Sequence, residues 1–128
     1  MKPSFEGVLL VGLGGFVGAN ARYLLNLWMS NWAGSAFPWG TLLINVTGSF
    51  ALALFIAWAA NRTTLIPELR FLFATGFCGA YTTFSTYANE TIALFRDQQW
   101  LAGLSNILVT NALCFVAVLL GLLLGSRL

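Results

Sequence analysis

Ten charged side chains in 128 residues, spaced to leave four long charge-free stretches, decide what this chain can fold into. The bases are Lys2, Arg22, Arg62, Arg70, Arg96 and Arg127; the acids are Glu6, Glu68, Glu90 and Asp97. The charge-free stretches are 7–21, 23–61, 71–89 and 98–126. Soluble domains carry about 25% charged residues, whereas this chain has 8% beside 59% hydrophobic. So few charges cannot cover a water-facing surface. Disorder is excluded by the same apolar excess. A net charge of +2 supplies no basic stripe for phosphates, which excludes nucleic acid as a partner. The class that remains is an integral membrane protein, one domain over residues 1–128, with the lipid bilayer as its surroundings.

A helix crosses the hydrocarbon in about 20 residues. The stretch 23–61 is too long for one, and the polar run Asn26 to Ser35 divides it. The reading is four spans, at about 5–28, 39–60, 67–95 and 99–125, with loops at 29–38, 61–66 and 96–98. Pro38 and Pro67 fall at helix starts, where proline is tolerated. Trp28, Trp32, Trp39 and Trp100 then share one membrane face and Trp58 the other, each near a span end where Trp prefers to sit. Both termini lie on the Trp58 face, with Lys2, Arg62, Arg70 and Arg127, so the positive-inside bias points to cytoplasmic termini.

The chemistry is narrow. Histidine is absent, so no imidazole serves as base, metal ligand or pH switch. Cys78 and Cys114 stand apart in apolar runs and read as small buried hydrophobes. The pairs Gly14/Gly18 and Gly121/Gly125 are GxxxG spacings, which let helix backbones approach closely in lipid. Span two carries a polar stripe of Thr41, Asn45 and Ser49; span four carries Asn106, Thr110 and Cys114, with Asn111 on an adjacent face. Polar groups in hydrocarbon need a partner or water, so the stripes are either interhelical bonds or a wet path.

Span three is the unusual one. Gly76 and Gly79, followed by Thr82, Thr83, Ser85 and Thr86, make poor helix material, and a break near the membrane centre is expected. A break frees backbone groups that bind ions. Beyond it, Phe84 and Tyr87 at i and i+3 put their rings on one face. Arg22 either snorkels or pins loops and a neighbouring subunit, and Glu90 is either interfacial or at a vestibule. The path holds no mid-depth carboxylate, which cation paths usually need. Hydroxyls, amides and positive ring edges suit an anion instead.

Along essentially its whole length the chain resembles the Fluc (CrcB) family of bacterial fluoride channels. The resemblance rests on Gly18-Ala19-Asn20-Ala21-Arg22, on Gly40-Thr41-Leu42-Leu43-Ile44-Asn45, and on the long run Thr75 to Thr86. It implies an all-α membrane fold in which four-helix subunits form an antiparallel, dual-topology homodimer in the bacterial inner membrane. It implies two pores, each lined by both copies, that passively export cytoplasmic F⁻ and lower intracellular fluoride. The protein is then no enzyme. Carried over by position, Phe84 is a pore-lining ring, Asn45 the polar pore residue of span two, and Ser85, Thr86 and Thr110 a hydroxyl track; Thr41 is placed with them. Gly79 and Thr82 match positions whose backbone carbonyls hold a structural, untransported Na⁺ at the dimer centre. Arg22 matches a structural arginine. Tyr87 stands where the second ring is usually Phe, and its hydroxyl either narrows the path or points away. Cys114 stands where a pore-side serine is common, and Thr47 where an apolar residue is usual.

The alternative is a small four-helix proton-coupled multidrug exporter, which needs a carboxylate in span one, where only Glu6 stands, at the edge. A third reading is a non-transporting assembly subunit.

Overall fold

The computed structural model describes residues 4–60, 62 and 67–128. Its elements in chain order are α1 (Phe5–Ala33), α2 (Trp39–Ala60), α3 (Pro67–Leu69), a π-helical segment (Arg70–Cys78), α4 (Gly79–Tyr81), α5 (Phe84–Arg96) and α6 (Trp100–Gly125). All regular structure among the described residues is helical. Helices α1, α2 and α6 are each long and apolar enough to cross a membrane. At 1.5 Å per residue the 22 residues of α2 span about 33 Å, close to the hydrocarbon thickness.

Helix α1 runs past the expected end at 28 and stops at Ala33. The polar run there does not break it, because Ser30 donates its hydroxyl to the Asn26 carbonyl (2.9 Å) inside the helix. Gly34 stops it, at φ 78°, with its N–H on the Ser30 carbonyl (3.1 Å). At the other end the Ser4 hydroxyl caps the Gly7 N–H (3.0 Å). The expected loop at 61–66 lies outside the described residues apart from Arg62, as does Lys2.

Both GxxxG pairs are packing devices. A Cβ at Gly121 would lie 2.6 Å from the Phe50 carbonyl oxygen, so α6 seats directly on the α2 backbone. Gly14 and Gly18 of α1 meet the Leu72 and Phe77 carbonyls of the π-helical segment in the same way. These carbonyls are five residues apart, one i→i+5 turn, and the glycines they meet are four apart. The wider helix thus puts successive carbonyls in register with an α-helical glycine groove.

The expected break in span three is present, between the glycines and Phe84. Gly76 and Gly79 stay helical, and the chain extends instead at Thr82 (ψ 159°) and Thr83 (φ −154°, ψ 115°). Gly76 is there for proximity, since a Cβ would lie 2.8 Å from the Val11 carbonyl. Before the break, Phe73, Phe77 and Tyr81 stack at 5.5 Å, and Phe55 of α2 joins them at 4.9 Å. Beyond it, α5 packs on α6, and Phe95 meets Trp100 at 5.5 Å.

A candidate anion site at the break

The site begins with the backbone groups that a broken helix leaves unpaired. The Asn45 amide serves two of them: its Oδ1 accepts the Thr83 N–H (2.8 Å) and its Nδ2 donates to the Thr83 carbonyl (3.0 Å). One side chain of α2 thereby replaces two lost helical bonds, which hydrocarbon would otherwise make expensive. The Thr83 hydroxyl accepts from the Thr86 N–H (3.2 Å), capping α5, and donates to the Thr86 hydroxyl (3.0 Å). Ser85 is exposed, its oxygen 3.4 Å from that of Thr83.

The carbonyls of Gly79 and Thr82 are among those the break releases from helical bonding. In an unbroken helix Gly79 would accept from Thr83, and Thr82 from Thr86. Both N–H groups are engaged elsewhere, with Asn45 and with the Thr83 hydroxyl. Arg22 of α1 brings Nη1 to 3.5 Å from the Thr82 carbonyl, so its guanidinium is pinned at the break. Gly79 faces open space, where an added Cβ would meet nothing nearer than the Ala74 carbonyl at 3.9 Å.

Beside the break lies a cavity of about 240 Å³. Asn45, Ser49, Thr82 and Thr83 form one wall. Phe84 and Tyr87 bring their rings from α5, and Thr110, Asn111 and Cys114 face them from α6. None of these side chains carries a fixed charge. The two rings lie 5.6 Å apart, tilted at 53°. Phe84 is 78% exposed, so its ring stands at the open edge.

The two polar stripes meet here, though not wholly. Asn45, Phe84, Tyr87, Thr82 and Thr110 come together around the cavity, while Thr86, Ser85 and Thr41 do not line it. Thr41, buried, donates instead to Glu90 Oε1 (3.0 Å). Glu90 sits at a second cavity of about 240 Å³, with Asn26, Ser30, Trp39, Asp97 and Gln99, at the Trp-rich end. Its Oε2 is buried and has no partner among the described residues. Of the two readings of Glu90, the vestibule is the one its surroundings favour.

Sequence reasoning left Ser49, Asn111, Cys114 and the hinge residue Thr83 out of the site. Ser49 and Cys114 stand on the stripes and face the same cavity. Asn111 is off the stripe by one position, yet its Nδ2 donates to the Tyr87 hydroxyl (2.9 Å). Thr47, flagged as an odd hydroxyl, donates to the Leu43 carbonyl (2.7 Å) and pairs with the Tyr81 hydroxyl (2.8 Å), away from the cavity.

A membrane-spanning helical chain broken beside an uncharged donor cavity defines the class of protein. Residues 9–122 match the family described as "CrcB-like protein, Camphor Resistance (CrcB)", and the chain belongs to that family. It is similar to the "Fluoride-specific ion channel FluC" of Koribacter versatilis (strain Ellin345), 51% identical over 111 residues covering 87% of this chain and 88% of that protein. The protein of the same name from Rhizobium meliloti (strain 1021) is 44% identical over 115 residues, covering 90% and 92% of the two chains. That of Trichormus variabilis (strain ATCC 29413 / PCC 7937) is 42% identical over 125 residues, covering 97% and 91%.

Proposed function

We propose that this chain is a fluoride channel, which passively releases F⁻ from the cytoplasm across the bacterial inner membrane. The observation that carries this reading is the cavity at the break, where amide and hydroxyl groups and ring edges converge without a carboxylate. Such a surface suits a small anion, and it lacks the carboxylate that a cation path or a proton relay usually needs. The names of the similar proteins support the same ion. The physiological logic is acid trapping. Neutral HF crosses lipid and ionises inside, and the anion then needs a pore to leave.

In this reading two copies assemble antiparallel; that one copy leaves Phe84 and Gly79 facing outward and the cavity open at its side supports a second copy at this face. A structural Na⁺ fits the released carbonyls of Gly79 and Thr82. Two copies would offer four hard oxygen donors, the ligand type Na⁺ takes, and the glycine leaves room for the second copy to approach. The ion supplies charge that holds the copies together and takes no part in conduction. Arg22 competes for the Thr82 oxygen through a long bond and leaves it a free lone pair. The expected outcome of exchanging Na⁺ for a large organic cation is a lower dimer melting temperature in detergent. An unchanged midpoint would contradict the assignment.

The direct test is anion efflux from liposomes containing the purified protein. Fluoride leaves and chloride is retained; equal rates for both, or no fluoride flux, sink the channel reading. Phe84→Ile then separates a channel from an assembly subunit: cells lose fluoride resistance with it if the chain is the channel and keep it if the chain only assembles.

A further inference from the structure

The direction of each hydrogen bond around Tyr87 follows from two carbonyl oxygens, which can only accept. The first is the Tyr87 main-chain carbonyl. It takes the Thr91 hydroxyl proton (2.7 Å), so the Thr91 oxygen accepts from Asn106 Nδ2 (2.9 Å). That turns Asn106 Oδ1 toward Thr110, and the Thr110 hydroxyl must donate to it (3.1 Å). Asn106 is 1% exposed, so nothing from solvent reverses the chain. The second anchor is the Ile107 carbonyl. It takes one Asn111 Nδ2 proton (2.7 Å), and the other goes to the Tyr87 hydroxyl oxygen (2.9 Å).

At the cavity wall these bonds give two hydroxyls opposite polarities. Thr110 has spent its proton inward, toward Asn106. Tyr87 accepts from Asn111, and among the described residues its own proton goes to no protein group. We propose that the Tyr87 hydroxyl is an oriented anion donor of this cavity, that Asn111 is the positioning residue that aims its proton, and that Thr110 presents lone pairs to the path and not a proton. The donor is rigid: its ring is buried and braced against Phe84. A fixed O–H favours the smallest, most strongly accepting halide, because charge-assisted bonds strengthen as they shorten. The assignment rests on the anion-channel reading above.

The test is fluoride efflux from liposomes, as a function of fluoride concentration, for the wild-type chain, Tyr87→Phe, Asn111→Leu and the double variant. Tyr87→Phe keeps the ring and removes the donor, and half-saturating fluoride rises about ten-fold. Asn111→Leu lets the phenol rotate and raises it less. The double variant matches Tyr87→Phe alone, because a positioning residue has nothing to position without its donor. Thr110→Val weakens fluoride less than Tyr87→Phe does. Equal half-saturation for Tyr87→Phe and wild type removes the donor role. A double variant weaker than Tyr87→Phe shows that Asn111 reaches the anion itself, and overturns the positioning role. A wild-type chain that passes no fluoride sinks the channel reading, and the proposal with it. Each variant is first checked for an unchanged elution volume in detergent; Asn111→Ala replaces Asn111→Leu if that variant does not fold.

Discussion

Gly18→Val abolishes recovery of folded protein, whereas Gly12→Ala, six residues earlier on the same helix, is tolerated or mildly stabilising. A Cβ at Gly18 falls on the Phe77 carbonyl oxygen and 3.1 Å from the Phe77 Cα. Both belong to backbone, which has no rotamer to retreat into. A Cβ at Gly14 would fall on the Leu72 carbonyl and lie 2.9 Å from the Phe77 nitrogen, so the two close approaches are lost together if the helices separate. Overpacking usually costs about 1–3 kcal/mol when side chains can yield; against backbone the cost exceeds about 4 kcal/mol, the range of the exceptional single substitutions. It also pulls the π-helical segment off α1, and with it the approach of Arg22 to the break. Gly12 has nothing within 4 Å, and alanine there gains helix propensity worth about 1 kcal/mol at most. The measurement is the monodisperse fraction after purification and the melting midpoint in detergent. Gly18→Val and Gly12→Ala giving the same midpoint would remove the glycine groove as the basis of this packing.

Much of this was readable from residue spacing, and the parts that were not have physical causes. The four charge-free stretches locate α1, α2, the broken helical stretch and α6, because charge is what hydrocarbon rejects most strongly. The GxxxG pairs announce close packing, and both provide it. The break was legible as an excess of glycine and hydroxyl residues, but the residues at which the chain extends were not. Propensity points to Gly76 and Gly79, but tertiary contact decides: α1 needs Gly76 for proximity, while Asn45 from another helix stabilises extended backbone at Thr83. No local rule sees an amide that arrives from 38 residues away. The π-helical stretch was invisible for the same reason, since it answers to the glycines of α1. The site was legible as two stripes but not as a donor inventory. Thr110 and Tyr87 differ in polarity only because of carbonyls at Tyr87 and Ile107, and spacing does not record where a proton points.

Asn45 is where folding and conduction depend on one side chain. Asn45→Leu strands the Thr83 N–H and carbonyl together. Each buried orphan costs about 1–3 kcal/mol, so stability falls by several kcal/mol and the break loses its shape. Fluoride flux disappears as well, because only one Asn45 N–H is engaged with Thr83 and the other belongs to the cavity wall. Loss of flux in that variant alone would therefore not say which function failed. Asn45→Asp tests the path through charge. Its carboxylate still accepts the Thr83 N–H, so the break keeps one of its two bonds, while its second oxygen faces the Thr83 carbonyl with no proton to give. It also places a negative charge in a cavity that has none. An anion about 4 Å from it feels about 4 kcal/mol of repulsion at the effective dielectric of a partly wet protein site. That corresponds to roughly a thousand-fold loss of occupancy. Efflux from liposomes should then be lost in both variants, and both melt below the wild type. An Asn45→Asp protein that conducts fluoride at the wild-type rate would mean that the anion does not pass this cavity at all.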